Sequence, residues 1–414
     1  MFRNVAPSVS LPGLEESLLE FWRERQVFRR SVEKPAPRGR FVFYEGPPTA
    51  NAAPGVHHVS SRAYKDLFPR FRTMQGFEVP RKGGWDTHGL PVEIAIEKRL
   101  GFESKAQVEE YGIERFNQLC REYVFENIEA WNSMTERIGY WVDTDDAYVT
   151  FHASYMESCW WIMKELFDRG LLVEDYKTTW HSPSSNTTLA SHEVALDYRD
   201  NVKDPSVFVK FMLRNADLAA RGIIPEGETR DVSMLAWTTT PWTLPANVAL
   251  AISPDADYTL VAAGTQHGAE GLTSIYIVAS ALVGKVFGET QHEVLGSFAA
   301  RELESLRYAP VLRGSVPEEA DVSAAWRVVL DDFVTLEDGT GIVHTAPAYG
   351  DLDLGRKHGL PTIFSVGLNG LMLADVGDPD EAGEGPWTGQ WFKDADADIT
   401  AHLTKRGLMF RSGT

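Results

Sequence analysis

The chain is poor in cysteine, since its 414 residues include only Cys120 and Cys159. Two cysteines cannot supply a four-cysteine metal site or a disulfide framework, and such scarcity is typical of proteins in a reducing cytoplasm. No run of about eighteen apolar residues occurs, so no membrane span is expected. Residues 1–12 lack a basic region followed by an apolar core, which predicts no secretory signal and a cytoplasmic location.

Positive charge is also scarce, because 40 Lys and Arg residues face 59 Asp and Glu residues, for a net charge of −19. The phosphate backbone of nucleic acids repels such a chain, which counts against binding through overall charge. Two interpretations stay open for five basic residues of the N-terminal part. They form either a local basic surface or an ordinary solvated helix face and loop: Lys65, Arg70, Arg72, Arg81 and Lys82.

Two common nucleotide-binding motifs are missing as well. The chain has neither a Gly-x-Gly-x-x-Gly fingerprint nor a phosphate loop ending in Gly-Lys-Ser/Thr, which weakens dehydrogenase and ordinary NTPase interpretations. Its hydrophobic content of 43% and charged content of 24% are ordinary for a globular protein. At this length we expect two or more domains with substantial cores.

Apolar periodicity predicts a largely helical N-terminal part. Helices are expected at 14–25, 54–74, 91–100, within 108–134 and at 154–172. The run at 40–45 predicts a strand ended by a Gly-Pro-Pro turn, so that strand, loop and helix resemble the opening of a nucleotide-binding α/β unit. The aromatic residues of the 154–172 helix are expected in the core: Tyr155, Trp160, Trp161 and Phe167.

After residue 198 the pattern changes to alternating and β-branched runs separated by short Gly, Asp and Pro clusters. This indicates a β-rich domain joined near residue 195. Its predicted strands are 207–213, 232–240, 258–263, 274–278 and 327–334. A surface loop is expected at 375–386 and a last helix at 395–405.

Four blocks carry the candidate chemistry: YEGPPTAN at 44–51, GWDTHGLPVE at 84–93, WTTTPWTLPAN at 237–247 and GTGIVHTAPAYGDLD at 339–353. In the third block, β-branched threonines favour an extended backbone, and Pro241 and Pro245 restrict the chain on either side. Alone, this block could equally be a strand followed by a tight turn with no role in function. In this order, however, the four blocks closely resemble isoleucyl-tRNA synthetase, a class I enzyme with an inserted editing domain. The resemblance runs from about residue 10 to residue 414.

The resemblance implies an α/β fold, made of the first half of a Rossmann-like nucleotide-binding domain and a β-rich inserted editing domain. The implied domains are an N-terminal extension at 1–40, the catalytic half at 41–195, the editing domain at 196–400 and a truncated return to the catalytic domain at 401–414. The family's second signature, Lys-Met-Ser-Lys-Ser, is absent. We therefore expect an N-terminal portion of a longer enzyme that lacks aminoacylation by itself.

The implied activity is ATP-dependent activation of L-isoleucine, transfer to tRNA(Ile) and hydrolytic editing of valyl-tRNA(Ile). The implied partners are tRNA(Ile), isoleucine and ATP with Mg²⁺, and a monomer is expected. Two alternatives stay open: a free-standing hydrolase of mischarged tRNA, and a non-catalytic nucleotide- or tRNA-binding paralogue. Relatives often carry a Cys-Pro-x-Cys knuckle where this chain has Ser182 and Ser185, so any zinc ligands of an intact enzyme lie outside this chain.

In the nucleotide-binding half, the resemblance assigns ATP contacts to Pro48, Thr49, Asn51, Gly55, His57 and His58, and amino-acid contacts to Gly46, Pro47 and Asp86. The Asp86 carboxylate would hold the α-ammonium, unless it only forms a turn or helix cap. The family's His-x-Gly-His signature reads Gly55-Val56-His57-His58, so a histidine and a glycine are exchanged. By the same resemblance His57 and His58 are the catalytic residues, and we expect both imidazoles to face the phosphates from a helix N-terminus, with Gly55 leaving room for adenine. Exposed helix residues are the alternative.

Isoleucine and valine are the standard illustration of weak discrimination by one methylene, which is why a second, hydrolytic site is used. The resemblance assigns that site to Thr238, Thr239, Thr240, Thr243, Asn247, His344 and Asp353. Asp353 would hold the α-ammonium, His344 would reject isoleucine sterically, and the threonine hydroxyls would position the ester and a water. No cysteine or serine with a partnered base is evident, so water is the expected nucleophile. Without the matching blocks, His344 would be a histidine bonded within a turn.

Overall fold

In the computed structural model the chain forms two compact units, Met1–Glu174 and Asp175–Thr414. The structure describes residues 8–191, 193–194, 200–264 and 272–414. The first residues of the predicted N-terminal extension and the predicted junction at 195/196 lie outside these described residues. Within the described ranges no helix is long and apolar enough to cross a membrane.

The first unit is mainly helical, and the predicted helices are confirmed with boundaries shifted by a few residues. Its helices are α1 (Leu11–Glu24), α2 (Val27–Glu33), α3 (Val56–Met74), α4 (Leu90–Leu100), α5 (Lys105–Tyr111), α6 (Ile113–Phe125), α7 (Ile128–Arg137) and α8 (Ala153–Asp168). Two strands pair in parallel, β1 (Lys82–Trp85) and β2 (Asp143–Val149). A parallel pair joined through several helices is the α/β arrangement that the sequence predicts.

The ends of α4 show how local sequence sets these helices. Pro91 lies in the first turn, where its missing amide hydrogen costs nothing, and Gly101 ends the helix in the left-handed region with φ of 74°. One face of α4 is buried through Val92 and Ile96. Ile96 contacts a small core that includes Val108 and Phe116.

The apolar run at 40–45 does not form a strand, contrary to the prediction. Arg40 makes an isolated bridge to Glu78, and no ladder continues through the run. Val42 and Tyr44 are 59% and 88% exposed. Local sequence favours an extended backbone here, but a strand also needs a neighbouring chain to satisfy its amides and carbonyls. Among the described residues the backbone pairing stops after the Phe41 amide, which donates to the Glu78 carbonyl over 2.9 Å.

The predicted burial of the α8 aromatics is also wrong. Trp160, Trp161 and Phe167 are 66%, 64% and 67% exposed, Tyr155 is exposed too, and no residue of α8 is buried. The helix itself forms as predicted. An apolar composition indicates that a helix has a face suited to burial, but it does not indicate whether a covering surface is present.

The second unit is β-rich, as predicted, and carries two main sheets. A six-stranded sheet has the order β10-β8-β9-β6-β5-β13, formed by β5 (Ser206–Met212), β6 (Asp231–Thr238), β8 (Asp257–Ala263), β9 (Ser274–Ala279), β10 (His292–Ala299) and β13 (Met409–Gly413). A three-stranded sheet has the order β11-β7-β12, formed by β7 (Ala249–Ile252), β11 (Arg327–Leu330) and β12 (Ile342–Thr345). A hairpin of β3 (Trp180–Ser182) and β4 (Thr187–Leu189) precedes them.

Helices and short 3₁₀ turns connect and cover these strands. The helices are α9 (Asn215–Ala220), α10 (Val283–Phe287), α11 (Ala300–Leu303), α12 (Leu352–His358) and α13 (Phe392–Lys405). The 3₁₀ helices are Pro241–Ala246, Ser280–Leu282 and Pro347–Tyr349. The predicted loop at 375–386 contains neither helix nor strand, and the predicted last helix at 395–405 is the main part of α13.

Burial follows strand position in the six-stranded sheet. The central strand β6 is buried on both faces from Val232 to Ala236, whereas the edge strand β10 is mostly exposed. Tyr258 on β8, Tyr276 on β9 and Phe211 on β5 are fully buried. Burial of an apolar side chain such as Phe211 contributes roughly 1.5–3 kcal/mol, and the segment that follows β6 therefore starts from a well-packed sheet.

Candidate functional site

The threonine-rich segment makes a sharp corner at the end of β6. Thr238 ends the strand, and the 3₁₀ helix Pro241–Ala246 begins with a proline that needs no amide partner. The Thr240 amide donates to the Thr238 hydroxyl over 3.1 Å, and the Thr243 amide donates to the Thr240 carbonyl over 3.0 Å. The Thr240 hydroxyl oxygen consequently lies 3.1 Å from that of Thr238 and 3.2 Å from that of Thr243.

His344 joins these hydroxyls from β12, where it lies opposite Leu250 of β7. Its Nε2 is 3.0 Å from Thr243 Oγ1. The Thr243 hydroxyl donates its own proton to the Thr240 carbonyl over 2.7 Å, so the imidazole must be the donor, through Nε2–H. Burial lowers the pKa of His344 to about 4. The ring is therefore neutral at pH 7, and its Nδ1 has no hydrogen-bond partner among the described residues.

These contacts define one hydrogen-bonded group, the threonine–histidine cluster, made of Thr238, Thr240, Thr243 and His344. The cluster joins two segments a hundred residues apart in the chain. The other predicted editing residues do not take part in the hydrogen bonds of this cluster. Thr239 is exposed, and Asn247 and Asp353 make the separate contacts described below.

Asn247 uses both ends of its side-chain amide inside the protein. Its Nδ2 donates to the Ala249 carbonyl over 3.0 Å, and its Oδ1 accepts from the Tyr308 hydroxyl over 2.6 Å. The Trp326 indole donates to the Asn247 carbonyl over 3.1 Å. Because the residue is 3% exposed, these contacts fix the exit of the 3₁₀ helix and leave no polar atom of the amide turned to solvent.

Asp353 lies in the first turn of α12 with a fully exposed side chain. The nearest cation is Arg356, 3.8 Å away, whose guanidinium makes a shorter 2.7 Å contact with Asp175. The C-terminal turn of α12 is anchored by Asp331, which accepts from Lys357 over 2.8 Å. An exposed carboxylate is thus presented on an anchored helix, with one long ion pair to a guanidinium that also binds Asp175, and it can bind a further cation.

Sequence reasoning missed Asp351, which closes the loop between β12 and α12. Its Oδ2 accepts from the Ala346 amide over 2.8 Å, and burial raises the pKa of its carboxyl group. The signal that could have found it is the Gly350-Asp351 pair in the motif, because Asp after Gly is typical of a turn that bonds its own backbone.

A cavity of about 680 Å³ opens beside this segment, lined mainly by aromatic and aliphatic side chains. Trp242 forms part of its wall and meets Tyr349 and Phe392 edge-on, with ring centroids 4.9 and 4.8 Å apart. The threonine–histidine cluster does not line the cavity. The other walls come from Thr178–Pro183 and Phe364–Gly370, which no sequence pattern connects with Trp242.

In the first unit, His58 closes the N-terminus of α3. Its Nδ1 accepts from the Gly55 amide over 2.9 Å, and its ring lies 4.6 Å from that of Trp131. Partial burial together with the neighbouring His57 lowers the pKa of His58. Because Nδ1 is used as an acceptor, a neutral His58 carries its proton on Nε2.

His57 is exposed, with its ring 3.8 Å from that of His58. The expected room beside Gly55 is not present, because a Cβ placed on Gly55 would lie 3.0 Å from Cε1 of His57. The exchanged histidine occupies the space that the glycine opens. A base approaching this helix start would have to displace that imidazole first.

The other predicted contacts of the first unit lie on a loop held by α6 and α7. The Asn51 and Ala52 carbonyls accept from the Tyr123 hydroxyl and the Trp131 indole. Asp86 pairs with Thr49, through a backbone bridge and a hydroxyl contact of 3.2 Å to the carboxylate. The predicted turn role of Asp86 is also present, since its Oδ1 accepts from the His88 amide over 3.4 Å.

Gly46, Pro47 and Pro48 follow a buried carboxylate, Glu45, that sequence reasoning did not single out. Lys65 on α3 donates to both the Glu45 carboxylate and the Gly46 carbonyl over 2.8 Å. The Tyr140 hydroxyl also donates to Glu45, and burial together with this bond raises the pKa of Tyr140. The Tyr-Glu-Gly-Pro-Pro block is thereby tied to α3.

The five basic residues were expected to form either a local basic surface or a solvated helix face and loop, and in the structure they contact acidic or polar side chains of the first unit instead of grouping into a basic surface. Lys65, Arg70 and Lys82 contact Glu45, Asp66 and Asp146, and Arg81 is buried 3.9 Å from Asp66. Arg72 bonds Gln75.

The two serines that replace knuckle cysteines bond within their own turn. The Ser182 hydroxyl accepts from the Ser185 amide over 3.4 Å and lies 3.2 Å from the Ser184 hydroxyl. Nowhere in the described part of the chain do three or more His, Cys, Asp or Glu side chains come together in a way that could hold a metal ion.

Comparison with known proteins gives the class. Residues 17–405 match the family model of the tRNA synthetases class I (I, L, M and V), and the chain belongs to that family. Isoleucine–tRNA ligase from Dehalococcoides mccartyi strain CBDB1 is 42% identical and covers 100% of this chain and 40% of that protein. The enzyme of the same name from Thermus thermophilus is 45% identical, with coverages of 99% and 36%. The chain thus spans about two fifths of the length of these relatives.

Two solved structures resemble this chain more weakly than these relatives do. The Plasmodium falciparum cytosolic leucyl-tRNA synthetase editing domain has a TM-score of 0.37 and 11% identity, covering 51% of this chain and 100% of that one. Leucyl-tRNA synthetase of Agrobacterium radiobacter K84, in a ternary complex, has a TM-score of 0.35 and 15% identity, with coverages of 96% and 47%. The predicted family and the predicted α/β class are confirmed by the family match and the architecture.

Proposed function

We propose that this chain is the N-terminal portion of an isoleucine–tRNA ligase, with an editing site in its second unit and part of the activation site in its first. The observation that carries the editing proposal is the threonine–histidine cluster together with the exposed carboxylate of Asp353. The editing domain is proposed at 196–400 and the catalytic half at 41–195. tRNA(Ile), isoleucine and ATP with Mg²⁺ are the proposed partners of a cytoplasmic monomer.

The editing chemistry follows from the charges of the site. Asp353 is the exposed carboxylate available for the α-ammonium of a misattached valine, a charge-assisted contact. His344 is neutral and has its Nε2–H committed to Thr243, so it supports a steric role against isoleucine better than one as a cation. The hydroxyls of Thr238 and Thr240 then orient the ester and the attacking water.

The test is deacylation of valyl-tRNA(Ile) by the chain, at high enzyme concentration because its net charge is −19. Asp353→Ala should lower the rate about 30-fold, since a hydrogen bond to a charged group is worth about 2 kcal/mol. Asp394→Ala, which removes an exposed aspartate from the first turn of α13, is the matched control. Equal rates for both variants and the unchanged chain would show that Asp353 does not anchor the substrate.

In the first unit we propose that His58 donates from Nε2 to a phosphate of ATP at the start of α3. Its Nδ1 contact with the Gly55 amide supports this orientation, and the helix N-terminus favours an anion. With the chain joined to the C-terminal portion of a relative, His58→Ala should slow isoleucine-dependent exchange of pyrophosphate into ATP. The expected cost is about 3 kcal/mol, comparable to losing one oxyanion donor. An unchanged exchange rate would remove His58 from the proposed site.

A further inference from the structure

The start of the 3₁₀ helix Pro241–Ala246 is held by a carboxylate from a distant part of the chain. Asp396 lies on α13, and its Oδ1 accepts from the Trp242 amide over 2.9 Å. The two residues are 154 positions apart in the sequence. Asp396 is 5% exposed, so the contact is made inside the protein and not at its surface.

This contact completes the backbone hydrogen bonding of the corner. A helix start leaves its first amides without partners inside the helix. Here the Thr240 amide is satisfied by the Thr238 hydroxyl, Pro241 has no amide hydrogen, and the Thr243 amide donates to the Thr240 carbonyl. Trp242 carries the remaining amide of this turn, and Asp396 is its acceptor.

The turn fixed in this way bears Thr240, whose hydroxyl is proposed to orient the ester and the water, and Thr243, which holds His344. Trp242 is flanked by Thr240 two residues before it and by Thr243 one residue after it. Thr243 reaches Nε2 of His344 over 3.0 Å. A shift of the Trp242 amide therefore moves both hydroxyls relative to the imidazole, although the hydrogen bonds of these three side chains do not involve Asp396.

Burial of the Asp396 carboxylate costs folding free energy. The pKa of Asp396 is raised to about 6, mainly by burial and to a smaller extent by Asp204, while the hydrogen bond from the Trp242 amide and the charge of Lys393 oppose the rise. Asp396 Oδ2 has no hydrogen-bond partner in the part of the chain that the structure describes, and neither has Nε1 of Trp242. A buried carboxylate with one of its two oxygens unpaired lowers the stability of the fold. Stability therefore does not account for Asp396, and what its bond supplies is the geometry of the corner.

We propose that Asp396 is a positioning residue for the ester hydrolysis proposed above: its carboxylate fixes the first turn of the 3₁₀ helix and so holds the Thr240 and Thr243 hydroxyls at their distances from His344. The inference rests on the proposed editing function. It assigns Asp396 no contact with substrate or with the reacting atoms.

The test compares Asp396→Ala with Asp396→Asn, which keeps an acceptor for the Trp242 amide, and with Asp394→Ala as a control on the same helix. For valyl-tRNA(Ile) deacylation, Asp396→Ala should lower kcat at least tenfold and leave KM for the tRNA within twofold. Asp396→Asn should retain kcat within about threefold of the unchanged chain. In hydrogen exchange, protection of the Trp242 amide should fall at least tenfold in Asp396→Ala only.

A folded Asp396→Ala protein with unchanged kcat and unchanged Trp242 protection would overturn the proposal. If alanine prevents folding, Asp396→Glu moves the acceptor by one methylene and keeps the charge, and the proposal then requires a lowered kcat. The proposed function fails separately, when the unchanged chain does not hydrolyse the ester. In that case loss of Trp242 protection in Asp396→Ala, with retention in Asp396→Asn, still decides whether the carboxylate fixes the turn.

Discussion

Replacing Asn247 with alanine should destabilise the second unit without acting on substrate. The change removes the bond from Nδ2 to the Ala249 carbonyl and leaves the Tyr308 hydroxyl without its acceptor. The Ala249 carbonyl still accepts from the Thr345 hydroxyl over 3.0 Å, so its loss is small. Tyr308 is 5% exposed, and water cannot easily replace the lost partner.

The magnitude follows from these two contacts. A net hydrogen bond is worth about 1 kcal/mol, and a buried hydroxyl left without a partner costs about 1–3 kcal/mol more. The free energy of unfolding of the second unit should therefore fall by about 3 kcal/mol. With a urea dependence near the upper end of about 1–3 kcal/mol/M, the midpoint should fall by about 1 M.

A double-mutant cycle tests the reasoning directly. Tyr308→Phe alone should cost about 1–2 kcal/mol, because it leaves Asn247 Oδ1 without its donor. Asn247→Ala with Tyr308→Phe should cost clearly less than the sum, since neither partner then remains buried and unpaired. Deacylation per folded molecule should stay near that of the unchanged chain. Additive costs, or a stable Asn247→Ala protein that has lost deacylation, would refute the structural role.

The pH dependence of stability should report His344. Its folded pKa of about 4 lies below the ordinary value of 6.5, so the unfolded chain binds the proton first, and stability falls as pH drops from about 6.5 to about 4. In urea titrations the free energy of unfolding should fall by about 3 kcal/mol at pH 4. The His344→Leu variant should not show this loss. Asp175→Ala should leave Arg356 with the Tyr176 carbonyl as its remaining hydrogen-bond acceptor, strengthen its ion pair with Asp353, and raise KM for valyl-tRNA(Ile) about two- to fivefold. Adding Arg356→Gln should reverse that rise, and a rise that persists would contradict the competition.

Helices were predictable from sequence because their signals are local. The helix expected at 54–74 is observed at Val56–Met74, and the one expected at 91–100 at Leu90–Leu100. The strand expected at 40–45 failed because pairing depends on a neighbour that the run itself does not specify. The same holds for burial on α8, where Trp160 and Trp161 stay exposed.

The site was predictable only as a set of segments. Resemblance brought the threonine-rich segment and the His344 motif together, and it could not indicate which hydroxyl would reach the imidazole. That Thr243 makes this contact depends on the corner formed by Pro241. The hydrogen bond from the Tyr308 hydroxyl to Asn247 could not be predicted either, because Tyr308 lies outside every motif.

The exchanged histidine and glycine of the first unit show why a motif's residue types do not determine its geometry. His58 keeps the position of the family's final histidine, and its ring closes the helix through the Gly55 amide. His57 fills the space over Gly55. In this variant signature the His58 imidazole is therefore held by a hydrogen bond, and the His57 imidazole lies where the family pattern leaves an opening. If ATP binds here, the His57 ring must move, whereas His58 can remain. Removal of His57 should then ease nucleotide binding, and removal of His58 should weaken it, which gives the two neighbouring imidazoles opposite signs in a single ATP-binding titration.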